Sequence, residues 1–272
     1  MPEGPEIRRA ADRLRAVVEG EIAQRVHFNV AGLTRFQSRL QGRTVEAIEP
    51  HGKALVTRFE GGLNLYSHNQ LYGRWQVTRG SEPPRTTRTL KVSIHTQRGA
   101  IWLYSATAIE VLSEAQLARH PFLLKLGPDL LARDLAPGQL VERLRERRFS
   151  GRSLGALLLD QRFVAGIGNY LRSEMLFVAG LAPSRRARDL DPAQLAALAA
   201  SIITVGRRAY KLRGITNEPQ RAAQLKLDGV GFEARRFHVF DREGLPCYAC
   251  GEPIERVEIA TRRLYLCRNC QR

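Results

Sequence analysis

Residues 247–270 have the sequence CYACGEPIERVEIATRRLYLCRNC, in which two Cys-x-x-Cys pairs flank a 16-residue segment. Each pair fits a tight turn in which two thiolates reach one tetrahedral Zn²⁺ ion, and the segment between the pairs fits a β-hairpin. Four thiolates leave such an ion no open position, so a catalytic metal is disfavoured. We therefore expect one structural zinc ion, bound by Cys247, Cys250, Cys267 and Cys270.

Two disulfides in a small terminal module are the alternative use of four cysteines. Disulfides belong to oxidising compartments, and the chain opens with Pro2, Glu3 and Glu6 rather than with a basic segment followed by an apolar one. We therefore expect no secretory signal and a cytoplasmic location. Redox chemistry is also disfavoured, because one Cys-x-x-Cys pair would suffice for it.

The net charge indicates the class of partner. The chain has 272 residues, of which 43 are Lys or Arg and 27 are Asp or Glu, and its formal net charge is +16. Such a field favours a polyanion, either nucleic acid or an anionic membrane surface. The longest largely apolar run, residues 195–205, is too short to span a bilayer. We therefore expect a nucleic-acid partner, association with the nucleoid and no membrane partner.

Apolar spacing and turn residues divide the chain into modules. Residues 5–20 have the spacing of an amphipathic helix that stops at Gly20. Short β-type runs follow to about residue 105, as in a β-sandwich or barrel with this helix packed on it. The next segment, 138–212, is helical, and the chain from about 237 is strand-like. Examples of the β-type runs are 25–30, 54–59, 75–78, 90–95 and 101–104. The predicted helices are at 140–148, at 154–160, from about Asn169, and from Pro192 with Asp191 as its N-cap.

The N-terminal residues Met1, Pro2 and Glu3 offer a nucleophile. A small residue such as proline after the initiator normally lets the methionine be removed, which leaves the secondary amine of Pro2 free. About one α-amino group in ten is neutral at pH 7, and its attack on an aldehyde carbon gives an iminium that acts as an electron sink. Glu3 is placed to serve as a general acid. Taken alone, these residues are more typical of a frayed terminus in front of a helix.

Four motifs, in this order, resemble the Fpg/Nei family of DNA glycosylases. They are Pro2-Glu3-Gly4-Pro5-Glu6 opening a helix, Gly52-Lys53 before a strand, Gly166-Ile167-Gly168-Asn169 between two helices, and the four-cysteine end. Within the family, YSHNQLYG at 66–73 and LLLDQ at 157–161 resemble the bacterial endonuclease VIII branch.

The resemblance covers essentially the whole chain and implies an α+β fold of three domains. These are a catalytic β-sandwich with a packed helix at 1–126, a helix–two-turns–helix DNA-binding domain at 127–226 and a zinc-finger β-hairpin at 227–272. It also implies a monomeric, bifunctional base-excision enzyme that acts on damaged double-stranded DNA.

The resemblance assigns four catalytic residues. Pro2 would attack C1′ of a damaged nucleotide and expel the base, with Glu3 assisting by proton transfer. Lys53 would support β-elimination and contact phosphate. Arg262 would bind phosphate and support δ-elimination, with its neighbour Arg263 as a competitor for that role. Without the family, Lys53 is typical of a solvated surface charge and Arg262 of a solvated hairpin tip.

It also assigns the DNA-binding residues. Gln70, Leu71 and Tyr72 match the loop that fills the gap left by an extruded nucleotide, since an apolar wedge offsets part of the lost stacking. Without the family, Leu71 and Tyr72 are more typical of core residues. Asn169 matches a phosphate ligand, and Gly166 and Gly168 allow a turn that aims helix N-terminal N–H groups at an anion.

Further basic residues are less specific. Lys125 stands where endonuclease VIII relatives often have Arg, which keeps the charge but loses a bidentate fork. The basic runs at 143–152 and 207–213 either line the DNA face or are ordinary solvated helix faces.

One segment departs from the endonuclease VIII pattern. Gly214 and Phe237 are separated by 22 residues, and the purine-directed branch carries a long lesion-capping loop at about this place. The resemblance nevertheless favours excision of oxidised pyrimidines followed by β,δ-elimination. A purine-directed glycosylase acting on 8-oxoguanine or formamidopyrimidine, and a non-catalytic zinc-ribbon DNA-binding protein, stay open as alternatives.

Overall fold

The computed structural model describes residues 2–272, which divide into two compact units. One comprises Pro2 and Glu6–Lys125, and the other comprises Glu3–Pro5 and Leu126–Arg272. The predicted α+β class, with an N-terminal sandwich, a helical region and a C-terminal hairpin, is confirmed.

The first unit is built on two antiparallel four-stranded sheets. Its helices are α1 (Gly4–Val18), which belongs to this unit from Glu6 onward, α2 (Gln37–Leu40) and α3 (Glu114–Leu117), with 3-10 turns at Thr34–Phe36 and Leu123–Lys125. Its strands are β1 (Arg25–Phe28), β2 (Val45–His51), β3 (Ala54–Phe59), β4 (Leu63–His68), β5 (Arg74–Thr78), β6 (Leu90–Thr96), β7 (Gly99–Tyr104) and β8 (Ala108–Ser113). The strand orders are β1-β6-β7-β5 and β2-β3-β4-β8.

One apolar core joins both sheets and α1. Ile7, Leu14 and Val18 of α1 pack in the same cluster as Ile48 of β2 and Ile101 of β7. The predicted helix at 5–20 is confirmed, but it ends at Val18.

None of the β-type runs given as examples covers β2, β4 or β8. Strand β2 contains Glu46, Glu49 and Pro50, which disfavour a strand, but it is an edge strand, where a residue without an N–H donor is tolerated. The predicted strand at 25–30 ends at Phe28.

The second unit is helical with one hairpin. Its helices are α4 (Pro137–Arg145), α5 (Arg147–Ser150), α6 (Leu154–Leu157), α7 (Asn169–Val178), α8 (Pro192–Lys211), α9 (Pro219–Leu227) and α10 (Phe232–Arg235), with a 3-10 turn at Ala187–Asp189; its strands are β9 (Glu255–Ile259) and β10 (Arg262–Leu266). Leu264 and Leu266 of β10 belong to the same apolar core as the helices.

Helix starts in this unit are predicted better than helix ends. Helix α7 begins at Asn169, and Asp191 caps α8 by accepting a hydrogen bond from the Gln194 N–H, as predicted. The predicted helix at 140–148 is two helices, α4 and α5, and the one at 154–160 ends at Leu157. The long segment 214–237 forms α9 and α10 rather than an open loop.

Candidate active site and nucleic-acid interface

Glu3 caps the N-terminus of α7. Its side chain is 2% exposed, and its carboxylate accepts hydrogen bonds from the backbone N–H groups of Gly168 (2.7 Å), Tyr170 (2.8 Å) and Leu171 (3.3 Å). Amide donors at the positive end of a helix dipole stabilise an ionised carboxylate. Glu3 is therefore fixed in position next to the half-buried Pro2.

This cap corrects one expectation about the glycine turn. The N–H groups of Gly168, Tyr170 and Leu171 bind the protein's own carboxylate rather than facing an external anion. A Cβ at Gly168 would overlap Cδ of Glu3, so only glycine fits there. Asn169 is half-buried at the first position of α7, and within residues 2–272 its Oδ1 has no hydrogen-bond partner.

Lys53 lies in the turn that joins β2 to β3. Gly52 adopts a left-handed φ of 60°, and Lys53, which is half-buried, directly precedes β3 as predicted. Strand pairing sets Ala54 opposite His68, the last residue of β4. Burial, and then the nearby charge of Lys53, lower the pKa of His68, which favours its neutral form. The turn thus brings Lys53 close to the end of β4.

The loop of residues 69–73, here called the wedge loop, joins β4 to β5. Leu71 is 56% exposed and Tyr72 is 69% exposed, so their interpretation as core residues is wrong. Gln70 has a left-handed φ of 47°, donates its N–H to Nδ1 of His68 at 3.0 Å, and accepts a hydrogen bond from the Thr107 hydroxyl. The exposed side chains of Leu71 and Tyr72 therefore lie on a loop whose backbone is fixed by the hydrogen bonds of Gln70.

The four cysteines come together as predicted. Their Sγ atoms all lie within 4.8 Å of one another, and none forms a disulfide. The Sγ atoms of Cys247 and Cys270 are 3.9 Å apart, and those of Cys250 and Cys267 are 3.4 Å apart. The cluster can hold one metal ion.

Arg262 and Arg263 are both exposed at the start of β10. Because they are consecutive strand residues, their side chains leave opposite faces of the hairpin, so one of them at most faces a given phosphate. Arg172 is fully buried and stabilises the turn before them through hydrogen bonds. No pattern in the sequence had indicated this residue. Its guanidinium donates to the carbonyls of Gly155 (2.8 Å), Ile259 (3.1 Å), Arg262 (2.9 Å) and Arg263 (3.1 Å).

Burial lowers the pKa of Arg172 to about 10, the charge of Glu3 opposes that shift, and the charge of Arg262 adds to it. Arg172 therefore stays charged at neutral pH. No signal in the sequence marks it, since an arginine in a helix is normally assigned to a solvated face.

Glu174 is a second buried residue that sequence reasoning missed. It is fully buried, and its carboxylate accepts hydrogen bonds from the Thr216 hydroxyl (2.6 Å) and from the N–H groups of His238, Val239 and Phe240 at 2.8–2.9 Å. It thereby ties α7 to the segment that leads into the first cysteine pair.

Some of the remaining basic residues are exposed, and others make hydrogen bonds or ion pairs within the protein. Lys125 is exposed at the end of a 3-10 turn. In the run at 143–152, Arg143 donates to the carbonyls of Arg162 and Phe163, and Arg152 pairs with Asp160. In the run at 207–213, Arg208 pairs with Glu218 at 2.8 Å. These three arginines support the fold, so the two runs are not simply solvated faces.

Comparison with known proteins covers the whole chain. Residues 1–107 match the model of the formamidopyrimidine-DNA glycosylase N-terminal domain, and residues 126–220 match that of the formamidopyrimidine-DNA glycosylase H2TH domain. Endonuclease 8 of Escherichia coli O17:K52:H18 (strain UMN026 / ExPEC) is 47% identical over 271 residues, with 100% of each chain covered. The chain belongs to the Fpg/Nei family of DNA glycosylases.

Other Fpg/Nei proteins agree in sequence and in fold. Endonuclease 8 of Shigella sonnei (strain Ss046) is also 47% identical over 271 residues, again with 100% of each chain covered. The solved MutM (Fpg) protein of Thermus thermophilus has a TM-score of 0.79 and 33% identity, covering 99% of this chain and 98% of its own. A Lactococcus lactis Fpg solved with abasic-site DNA shares the fold, with a TM-score of 0.81, 23% identity and 99% of each chain covered.

Fpg/Nei members combine DNA glycosylase with abasic-site lyase activity in base excision repair, so this chain is a repair enzyme. Among its described residues, no helix is long and apolar enough to cross a membrane.

Proposed function

We propose that this enzyme excises oxidised pyrimidines from duplex DNA and then cuts the strand through an iminium formed on Pro2. The observation that carries the proposal is the cap on α7. It fixes the carboxylate of Glu3, the residue bonded to Pro2, with three backbone donors, and so orders the N-terminal nucleophile. A nucleophile and a proton-transfer group held in place together lower the entropic part of the barrier.

The base is expelled in the first stage. The Pro2 nitrogen bonds to C1′ while the bond from C1′ to the base breaks, and the base leaves with the electron pair. Glu3 takes up the proton that Pro2 loses and transfers it to the leaving base. Cleavage of the C1′–O4′ bond, with a proton from solvent on O4′, leaves a ring-opened cationic iminium.

The strand is cut in the second stage. Loss of a 2′ proton expels the 3′ phosphate by β-elimination, and loss of a 4′ proton expels the 5′ phosphate by δ-elimination. We assign support of the first step to Lys53 and of the second to Arg262, because a cation beside each leaving phosphate stabilises the developing charge. Water then hydrolyses the iminium and frees Pro2.

DNA contacts are assigned to four individual side chains. Leu71 and Tyr72 would enter the gap left by the extruded nucleotide, while Lys125 and Asn169 would contact the phosphate backbone. The exposure of the wedge loop supports this assignment. The preference for pyrimidines is supported by the match to endonuclease 8, at 47% identity over the full chain, against 33% for the Thermus Fpg protein.

The metal in the cysteine cluster is proposed to be zinc. Four thiolates suit zinc, and a tetrahedron with Zn–S bonds of about 2.3 Å has S–S edges of about 3.8 Å. The separations of 3.9 and 3.4 Å fit such a site. When bound, zinc would supply structural support to the hairpin that carries Arg262. Metal analysis should find one zinc per chain, and Co²⁺ substitution should give a tetrahedral thiolate spectrum.

Two variants separate an enzyme from a non-catalytic binder. Protein with an N-terminal tag left in place has no free Pro2 amine, so it should bind abasic duplex DNA normally and fail to cleave it. Lys53→Ala should lose most of its turnover with little loss of affinity. Lys91→Ala, a half-buried lysine on β6, is the matched control and should cleave normally. Normal cleavage by the tagged protein would refute the proline mechanism.

A further inference from the structure

The side chain of Gln161 holds the turn at residues 166–168, here called the glycine turn. Gln161 is the last residue of the LLLDQ stretch and is half-buried in the second unit. Its Oε1 accepts a hydrogen bond from the Gly166 N–H at 3.0 Å. Its Nε2 donates to the carbonyls of Ile167 at 2.9 Å and Leu159 at 3.0 Å. One amide group therefore ties the first two residues of the glycine turn to the chain before it.

The glycine turn also holds the N-terminal segment. The Gly166 carbonyl accepts a hydrogen bond from the Gly4 N–H at 2.8 Å. The Gly168 N–H donates to the Glu3 carboxylate at 2.7 Å. A Cβ on Gly4 would lie 3.0 Å from Cα of Gly166, so the two backbones are in direct contact. Gly166 has a left-handed φ of 101°, which glycine adopts without a steric penalty. Glu3 and Gly4 therefore take their position from the glycine turn.

The groups around Gln161 determine which side chain fits there. One backbone N–H faces its Oε1 and two carbonyl oxygens face its Nε2, so a single amide satisfies one donor and two acceptors. A glutamate of the same shape would place an oxygen against both carbonyls. A methionine of similar length would leave all three backbone groups without this partner. Hydrogen bonding, rather than size, therefore accounts for glutamine at this position.

These contacts reach Pro2 through the peptide chain. Pro2 is bonded to Glu3, so the backbone contact at Gly4 limits where the Pro2 nitrogen lies. A shift of about 1 Å in a reacting group can slow a reaction by about 10²-fold. We propose that Gln161 is a positioning residue for Pro2 and Glu3. It acts through the contact between Gly166 and Gly4 and touches no reacting atom. This inference rests on the proposed function, because it takes Pro2 to be the nucleophile.

Two substitutions test the amide. Gln161→Met removes all three hydrogen bonds, and Gln161→Glu keeps the shape and the acceptor but removes both donors. Each variant should slow single-turnover borohydride trapping on an abasic duplex by about ten- to a hundredfold, and should change the dissociation constant for that duplex by less than about threefold. Wild-type trapping by both variants would overturn the proposal. A slow Gln161→Met with a normal Gln161→Glu would also overturn it, because shape alone would then matter.

Gln194→Met is the matched control. Gln194 is also half-buried in the second unit, and its Oε1 accepts a hydrogen bond from the Asp191 N–H at 3.2 Å, at the start of α8. The control should lower the melting temperature as Gln161→Met does, but it should be trapped at the wild-type rate. Equal slowing of trapping by the two methionine variants would show that lost stability limits the reaction, and would overturn the positioning role.

A double-variant cycle tests the path of the effect. Gly4→Ala places a Cβ against Gly166 and should also slow trapping. If both substitutions act through one contact, the slowing in Gln161→Met/Gly4→Ala should be smaller than the product of the two single effects. The slowing in Gln194→Met/Gly4→Ala should equal the product. Independent effects of Gln161→Met and Gly4→Ala would contradict a path through Gly166.

Hydrogen exchange measures the structural step in the free protein. The amides of Gly4 and Gly166 should exchange about five- to tenfold faster in Gln161→Met than in Gln194→Met. Faster exchange with wild-type trapping would overturn the positioning role.

The wild-type protein separates this inference from the proposed function. If wild type gives no adduct on abasic DNA, the proposed function fails and the positioning role fails with it. If wild type is trapped and the Gln161 variants are trapped equally fast, only the positioning role is wrong.

Discussion

The carboxylate of Glu3 accepts a hydrogen bond from the backbone N–H of Gly168 at 2.7 Å, across 165 residues of sequence. Helix α7, in the region that matches the H2TH domain, therefore also holds the residue bonded to Pro2, the proposed nucleophile. The anion at the start of α7 is a protein group, so the helix dipole stabilises Glu3 directly.

Substitutions of Glu3 should separate its chemical role from its role as a cap. Glu3→Gln keeps one of the two accepting oxygens and places an NH2 group at the other, so it should cost about 1–2 kcal/mol in unfolding free energy and slow base excision by about 10²–10⁴-fold. Glu3→Ala also leaves the buried donors without partners and should cost about 2–3 kcal/mol. The rate of strand cleavage at a preformed abasic site, which has no base to expel, should fall less than the rate of base excision.

Single-turnover excision and denaturant unfolding measure the two effects. Glu46→Gln, at an exposed glutamate of β2, is the control. If Glu3→Gln excised the base at the wild-type rate, Glu3 would have no role in proton transfer.

Shortening the wedge should affect DNA and not the fold. Leu71→Ala and Tyr72→Ala should change unfolding free energy by about 0.5 kcal/mol or less, because both side chains are exposed. Excision from a paired duplex should fall by about ten- to a hundredfold, because the cost of extruding a nucleotide is a few kcal/mol. The loss should shrink when the lesion is already unpaired in a bulge.

Leu245→Ala, at a leucine that is 51% exposed, controls for loss of any exposed apolar group. Equal losses on the paired and bulged substrates would show that the wedge does not act by filling the gap.

Arg172 should be essential to the hairpin. Arg172→Met removes the donors to four backbone carbonyls from a fully buried side chain and should lower unfolding free energy by about 2–4 kcal/mol. Because the carbonyl of Arg262 is one of the four, strand cleavage at abasic sites should also slow. Arg263→Met, at an exposed position, should change stability by about 0.5 kcal/mol or less. A stable Arg172→Met protein with normal cleavage would contradict this role.

Stability should depend on pH through Asp160. Burial would raise the pKa of this carboxyl, but hydrogen bonds from Arg162 and Arg152 outweigh it and lower the pKa to about 2. Since the folded pKa lies below the unfolded value of 3.8, the stabilisation is present above pH 4 and is lost as pH falls toward 2. We expect about 1 kcal/mol, because Arg162 is exposed and solvent screens its charge.

The measurement compares unfolding free energies of wild type and Asp160→Asn. The difference should be about 1 kcal/mol at pH 6 and should disappear near pH 2. A difference that grows as the pH falls would contradict the assignment.

The sequence predicted features that depend on neighbouring residues. Three such features are confirmed: the apolar stripe of α1, the Asp191 cap of α8 and the clustering of the two cysteine pairs. Each depends on residues within a short stretch of the chain. The wedge loop was found only through the family resemblance, because Leu71 and Tyr72 by themselves are typical of a core.

Contacts between distant residues could not be predicted. The pairing of Glu3 with α7 and of Arg172 with the β9–β10 turn joins residues that are 87 or more positions apart. Strand β2 could not be predicted from its own residues, because Pro50 and two glutamates disfavour a strand. It forms because β3 pairs with it. Helices α9 and α10 lie in a segment whose Gly, Gln, Arg and Asp content suggested a loop.

Pro2 is proposed to form an iminium with the damaged strand. Borohydride reduction should trap a covalent adduct on duplexes that contain an abasic site or thymine glycol, with much less on 8-oxoguanine, and peptide mass analysis should place the attachment on Pro2. Protein with a blocked N-terminus should give none. The absence of an adduct on every duplex, from zinc-loaded protein that has lost Met1, or an adduct on Lys53 instead, would rule out an iminium on Pro2.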